Sequence, residues 1–458
     1  MEQHFQKETH AYAVSALGNR LGYADRMEES LLAVQEGVVL FRALALEQPL
    51  EYNNALAGTI DDLATRLSAL GRAQEALSTV EEAVNLRRAL AAEWPAKYNN
   101  DLAMSLSNLS AHLSALGRAQ EAFLAVEEAV NLKRAIAAEQ PAAYDVHFAI
   151  FLNNLSVHLS ALGRAEEALS AIEEAANMFG SLAVERPVAC NANLAKGLGN
   201  LSAHLLALGR AQEALSAVGE AVGPNRALAA ERPAAYNADL ASSLNNLSVN
   251  LSALGQAQEA LSAVEEAVNL RRALAAERPA TYNADLASSL NTLSNRLSAL
   301  GRAQEALSVE EGAANMYRPL AVERPAAYNA ELAKSLGNLS GRLSALNRTQ
   351  EAISAARETA ILFRSLARER PAAYNAYLAQ SLQALSHCLI DLGRQDEALM
   401  VIPEAVDLYR SLAAEQPAQF NRDLMESLIV LASAMIDLGM DVPMEIRQET
   451  RAFLAQLT

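Results

Sequence analysis

Residues 233–278 read PAAYNADLASSLNNLSVNLSALGQAQEALSAVEEAVNLRRALAAER, and residues 279–324 read PATYNADLASSLNTLSNRLSALGRAQEALSVEEGAANMYRPLAVER. One pattern is written twice. Its proline recurs as Pro49, Pro95, Pro141, Pro187, Pro233, Pro279, Pro325, Pro371 and Pro417, every 46 residues without a slip. A fixed period of this size marks stacked units, each burying its apolar face against its neighbours. Ten such units nearly fill the 458 residues, so the expectation is a chain that is all repeat, with no separate catalytic domain.

Within a unit the apolar spacing predicts two helices. Leu286, Leu290, Leu293, Leu297 and Leu300 recur at steps of four and three, which places them on one face of a helix A over about Asn283 to Leu300. Ala260, Leu261, Val264, Ala267, Val268 and Leu274 trace a helix B ending near Glu277. Asn53, Asn99, Asp145, Asn191, Asn237, Asn283, Asn329, Asn375 and Asn421 read as N-caps of helix A. Between the helices stand Gly71, Gly117, Gly163, Gly209, Gly255, Gly301, Asn347, Gly393 and Gly439, residue types that tolerate the left-handed conformation after a helix. Tyr52, Tyr98, Tyr144, Cys190, Tyr236, Tyr282, Tyr328, Tyr374 and Phe420 read as an apolar plug at the entry to helix A. Pro224, Pro319 and Pro403 fall inside helix B, where a proline costs about 3 kcal/mol or bends the helix, so kinks are expected there.

Leu247-Ser248, Leu251, Gly255, Ala260, Val264 and Ala267 resemble the tetratricopeptide-repeat spacing of Leu-small, aromatic, Gly, Ala, aromatic, Ala. The leucine position is filled in every unit, from Leu17 to Leu431. Leu and Val or Ile replace the family's aromatics, and Arg272 stands where the family has an early proline, so helix B continues. With Leu-Asn-Asn-Leu at Leu244 to Leu247, the chain resembles the long-repeat, kinesin-light-chain-like subclass. The implied fold is all-α: a right-handed α-solenoid, or superhelix, of about ten antiparallel helix pairs with a 46-residue period. Residues 1–52 are expected to be a degenerate N-terminal capping pair, with Asp25 at the glycine and Ser30 at the alanine position. Residues 53–420 would hold eight repeats, and 421–458 a C-terminal capping pair opening its last helix at Pro443.

Composition agrees with helices, since the 51% apolar content is mostly Leu and Ala while aromatics are only 5%. A formal charge of −17 would repel a phosphate backbone and speaks against a nucleic-acid partner. Arg87 with Arg88, and Arg271 with Arg272, read as a solvated helix face. The charged start from Met1 to Glu8 lacks a signal-like apolar stretch, and no run is long enough to span a bilayer. Cys190 and Cys388 stand too many repeats apart to bridge. A reducing, cytoplasmic setting without a membrane is the expectation.

Catalytic motifs are missing from the sequence. It has no Cys-x-x-Cys, His-Glu-x-x-His, Walker loop or Gly-x-Ser-x-Gly elbow. Gly197-Leu198-Gly199 falls within a helix A, and Asp61-Asp62 is followed by Thr65 where an aspartate-rich metal motif needs an acid. His112, His158 and His204 share one position, yet zinc needs nitrogens at about 2 Å whereas stacked units repeat at about 10 Å. They read as a semi-exposed polar row, with no metal, no cofactor and no enzymatic activity expected.

Asn108, Asn154, Asn200, Asn246 and Asn338 begin Asn-Leu-Ser sequons but lie within helices, against glycosylation. Resemblance to kinesin light chain implies that this row lines a concave groove and bonds to a peptide backbone. Beside it runs the most varied helix A row: Gly58, Met104, Ile150, Lys196, Ser242, Ser288, Lys334, Gln380 and Glu426. Its apolar end is Met104 and Ile150, next to Phe151, which replaces the Ser of other units. The expected site is a groove anchoring an extended peptide on Met104, Ile150 and Phe151, with Lys196 following and Asn108, Asn154, Asn200 and Asn246 holding its backbone. The expected function is a protein-interaction scaffold for a protein or peptide partner. A ligand-sensing regulator of a separate effector is the alternative, and an enzyme comes third.

Overall fold

Pro49 opens a helix, as do Pro95, Pro233, Pro279, Pro325, Pro371 and Pro417. The ring fixes φ at a helical value, and the missing N–H would have had no intrahelical partner at that position. Steric pressure from the ring moves the residue before it out to φ between −132 and −140°, which ends the preceding helix B. The asparagines expected as N-caps therefore lie four residues inside helix A, and none of these seven helices has a side-chain cap. Asp145 is the exception: its carboxylate accepts from the Phe148 N–H at 3.0 Å and starts its helix there.

The computed structural model describes residues 2–23, 26–139, 145–185 and 187–457, and the expectations placed on Asp25, Pro141 and Tyr144 lie outside them. The A helices are α1 (Glu2–Tyr23), α3 (Pro49–Ala69), α5 (Pro95–Ala115), α7 (Val146–Ala161), α9 (Pro187–Ala207), α11 (Pro233–Ala253), α13 (Pro279–Ala299), α15 (Pro325–Ala345), α17 (Pro371–Asp391) and α19 (Pro417–Asp437). Between them run the B helices α2 (Met27–Glu47), α4 (Ala73–Glu93), α6 (Ala119–Glu139), α8 (Ala165–Glu185), α10 (Ala211–Glu231), α12 (Ala257–Glu277), α14 (Ala303–Glu323), α16 (Thr349–Glu369), α18 (Gln395–Glu415) and α20 (Met444–Leu457). Helices α10, α14 and α18 run through Pro224, Pro319 and Pro403 without interruption of their spans.

The A–B turns from Gly71 to Gly439 close in the same way. Gly301 takes φ +73°, its N–H bonds to Ser298 O at 3.0 Å, and the Arg302 N–H bonds to Leu297 O at 2.9 Å. These are the paired bonds of a Schellman end. Asn347 holds the same place at φ +59°. Gly301→Ala should cost about 1–2 kcal/mol and Gly301→Asn clearly less, as read by chemical denaturation.

The chain divides into two compact units, residues 1–270 and 271–458. In each, consecutive helices pack as antiparallel neighbours, and A helices also touch one another, as α9 touches α11 and α17 touches α19. Ala76, Ala122, Ala168, Ala214 and Ala260 in the first unit, and Ala306, Ala352 and Ala398 in the second, are fully buried and let the helices of a pair approach closely. The tyrosine plug sits at the fourth residue of helix A. Tyr52, Tyr98, Cys190, Tyr236 and Phe420 are buried, while Tyr282, Tyr328 and Tyr374 are half-buried beneath the guanidinium groups of Arg278, Arg324 and Arg370. Leu17, in the leucine position of the first pair, is half exposed.

B helices are also joined to each other by a ladder of ion pairs. Arg42 meets Glu82, Arg88 meets Glu128, Arg134 meets Glu174 and Arg226 meets Glu266 in the first unit; Arg318 meets Glu358 and Arg364 meets Glu404 in the second. Exposed pairs of this kind contribute about 0.2–1 kcal/mol each. The ladder skips a rung at Gly180, and again at Gly312, where the arginine or the glutamate is missing.

Candidate functional site

The residues expected to line a groove all lie on A helices of the first unit, but their exposure separates them. Met104 and Ile150 are half-buried and pack against the largest core cluster of the unit. Lys196 is exposed, and its ammonium faces Asp239 on α11; burial pushes that carboxyl up while Lys196 pulls it down. Phe151 is only 2% exposed and belongs to the core with Phe148, Leu152 and Phe179. It is no groove anchor. The A helix turns the residue after Ile150 inward, toward the space between helix pairs.

The asparagine row is half-buried and bonded from one A helix to the next. Asn154 Nδ2 donates to Ser107 Oγ at 3.3 Å, and Asn200 Nδ2 donates to Asn153 Oδ1 at 2.8 Å. Asn108 bonds to the Asp61 carboxylate. Asn246 Nδ2 lies 2.6 Å from where a Cβ on Gly199 would stand, so a larger residue there would make this amide move. These amides tie stacked helices together before they meet any ligand.

Just below this face lies a row that sequence reasoning missed. The fifteenth residue of helix B is Phe41, Arg87, Lys133, Phe179, Asn225, Arg271, Tyr317, Phe363 and Tyr409 in successive units, and every one is buried. Arg87 and Arg271, read from sequence as solvated, are therefore interior. Arg87 Nη1 bonds to Asp61 Oδ2 at 2.7 Å on its own helix A and to Ser105 Oγ at 2.6 Å on the next. Asn225 Nδ2 donates to Ser243 Oγ at 2.9 Å, and Arg271 bonds to Ser289. Phe179 fills the same space where Gly197 makes room, since a Cβ there would stand 3.0 Å from its ring. Lys133, 1% exposed, reaches Asp145 at 2.8 Å. A partial signal was available: the residue eighteen positions after members of this row is Ser in most units, as at Ser105, Ser243 and Ser289, and departs from Ser at Phe151 after Lys133 and at Gly197 after Phe179.

The histidine row is interior as well. His112 and His158 are buried, His204 Nε2 lies 3.3 Å from Ser156 Oγ, and burial lowers the pKa of all three. His112 and His158 of the expected semi-exposed row are thus buried between A helices, and only His204 is half-buried. Asp61 is committed to Arg87, and Asp62 accepts from Asn19. Among the described residues no group of three or more His, Cys, Asp or Glu is placed to hold a metal ion, and no helix is long and apolar enough to cross a membrane. Cys190 and Cys388 are buried free thiols.

Helix pairs repeated in one arrangement, Schellman turns from Gly71 to Gly439 and small residues where the helices meet define an α-solenoid of the kind that serves as an interaction scaffold. The tetratricopeptide-repeat profile matches residues 240–277 and 286–318. A profile of anaphase-promoting complex subunit 5 matches residues 4–93, 96–144 and 137–179. No curated protein matches the chain. Among solved structures, BtubC (BKLC) from P. vanneervenii is similar at 24% identity, over 54% of this chain and 92% of that one, with a TM-score of 0.46. The nearly identical TPR-like repeats of a kinesin-light-chain-type protein from Podosopora anserina are similar at 23% identity, over 50% of this chain and 99% of that one, with a TM-score of 0.39. A STAND signal-transduction ATPase with a tetratricopeptide repeat sensor, from Pyrococcus horikoshii, is similar at 13% identity, over 83% of this chain and 51% of that one, with a TM-score of 0.46.

Proposed function

We propose that the chain is a protein-interaction scaffold that takes a peptide or protein partner on its helix A face. The supporting observation is the contrast between two adjacent rows. The leucine and alanine positions barely change, whereas the half-exposed row beside them runs from Met104 and Ile150 to Lys196 and Ser242, a change of chemistry that packing does not demand. The anchors are Met104 and Ile150, with Lys196 beyond them, and Asn108, Asn154, Asn200 and Asn246 offer the amide atoms left over from their interhelical bonds. Phe151 supports this surface from beneath.

The test compares the intact chain with a Met104→Asp, Ile150→Asp variant of equal helicity, leaving Phe151 in place, in capture from native lysate. A partner retained by the intact chain and lost at least tenfold with the variant is the expected result. Equal capture by both would move the binding surface elsewhere. No captured protein with either chain would favour a ligand-sensing regulator.

A further inference from the structure

The Val-Glu-Glu of helix B is displaced by one residue in α14. Where α12 reads Ala263-Val264-Glu265-Glu266, α14 reads Val309-Glu310-Glu311-Gly312, and the 46-residue frame resumes at Ala313. One slip does two things. Gly312 takes the place of the ladder glutamate, and Glu310 enters the core position that Val34, Val80, Val126, Ile172, Val218, Val264 and Ile402 hold elsewhere.

Glu310 is 0% exposed. Ser335 Oγ of α15 lies 3.0 Å from its Oε1 and 3.1 Å from Asn291 Oδ1 of α13, while Oε2 is buried with no hydrogen-bond partner. A hydroxyl carries one proton. With Glu310 ionised, Ser335 cannot donate to both acceptors, and one of them gives up this hydroxyl while Oε2 stays buried without a partner. With Glu310 neutral, the acid can donate to Ser335 Oγ while Ser335 donates to Asn291.

The charged group acting on Glu310 is Arg342 of α15, and that guanidinium is already bonded to Ser294 and Ser298 of α13 at 3.3 and 2.8 Å. The neighbouring Glu311 is turned to Arg348 at 3.6 Å. Among the described residues no ion pair to this carboxylate is formed, unlike Asp61 with Arg87.

We propose that Glu310 makes the packing of α13, α14 and α15 proton-linked: the neutral acid completes it, and ionisation loosens it. Burial pushes the carboxyl up to about 7, against the pull of Ser294, Ser335, Arg342 and Asn338. A raised carboxyl favours the packed state at low pH. That advantage is complete below the value for an exposed glutamate, about 4.5, and is lost as pH rises to about 7, above which it levels off.

Hydrogen exchange of the full chain, corrected for intrinsic rates, tests this in the amides of α13 to α15. The opening equilibrium should rise by up to about tenfold per pH unit, hence about fifteenfold from pH 5.5 to 7, where the rise begins to flatten. Glu310→Val restores the residue of the other units, and Glu310→Gln imitates the neutral acid at constant size; both should give flat profiles. A wild-type profile no steeper than that of Glu310→Gln would overturn the proposal, even if Glu310→Val proved unstable.

Discussion

Arg87→Ala should destabilise the first unit by about 3–5 kcal/mol, because it leaves Asp61 charged and buried without its cation. Both side chains are about nine-tenths buried, and Ser105 Oγ alone, 2.6 Å from Asp61 Oδ2, does not replace a guanidinium. Two further measurements separate this cause from simple loss of packing. Adding Asp61→Ala should recover part of the loss, since the orphaned carboxylate is then gone. Lowering the pH should also help the single variant. Burial already raises the Asp61 carboxyl, with Arg87 the largest opposing pull, so without Arg87 it should rise further, and the neutral acid that forms on acidification needs no cation. Urea denaturation near pH 7 and at pH 5 reads both effects, and an Arg87→Ala chain as stable as wild type would contradict the ion-pair account.

Phe151→Ala should cost about 3–5 kcal/mol as well, through a different route. The ring lies in the largest core cluster of the unit, among Phe148, Leu152 and Leu155, and its removal leaves a cavity that a rigid helix pair can fill only in part. Loss of partner binding in a Phe151 variant would then follow from loosened helices. Ile150→Asp, one residue away and half-buried, should weaken binding while keeping most of the stability. Thermal unfolding and partner capture, measured on both variants, should rank them in opposite orders.

The arrangement of helices was legible because the period is unbroken and Gly301 or Asn347 marks each turn. The start of helix A was misplaced because Pro279 and Asn283 are both N-terminal signals, and a ring that fixes φ outweighs a side chain that offers one hydrogen bond. Phe151 was misread for another reason. A single helix pattern shows that a residue differs from its counterparts, but the direction it faces depends on the preceding helix B, where Lys133 replaces an aromatic. Glu310 was hidden by similarity: Val-Glu-Glu occurs in α12 and α14 alike, and only the fixed distance from Gly301 to Pro325 reveals that the frame did not move with it.

The varied residues at the fifteenth position of helix B also bear on how so repetitive a chain finds its order. Near-identical helices invite mispairing, in which a hairpin docks against the wrong neighbour or against another molecule. Some junctions here carry their own lock. Arg87 brought against Gly197 would lose Ser105, and Lys133 docked against another helix A would lose the Asp145 carboxylate. Chains with every junction made uniform, for instance Phe at each helix B position and Gly at each partner, should therefore fold with more swapped and misaligned species, even if each local contact were as strong.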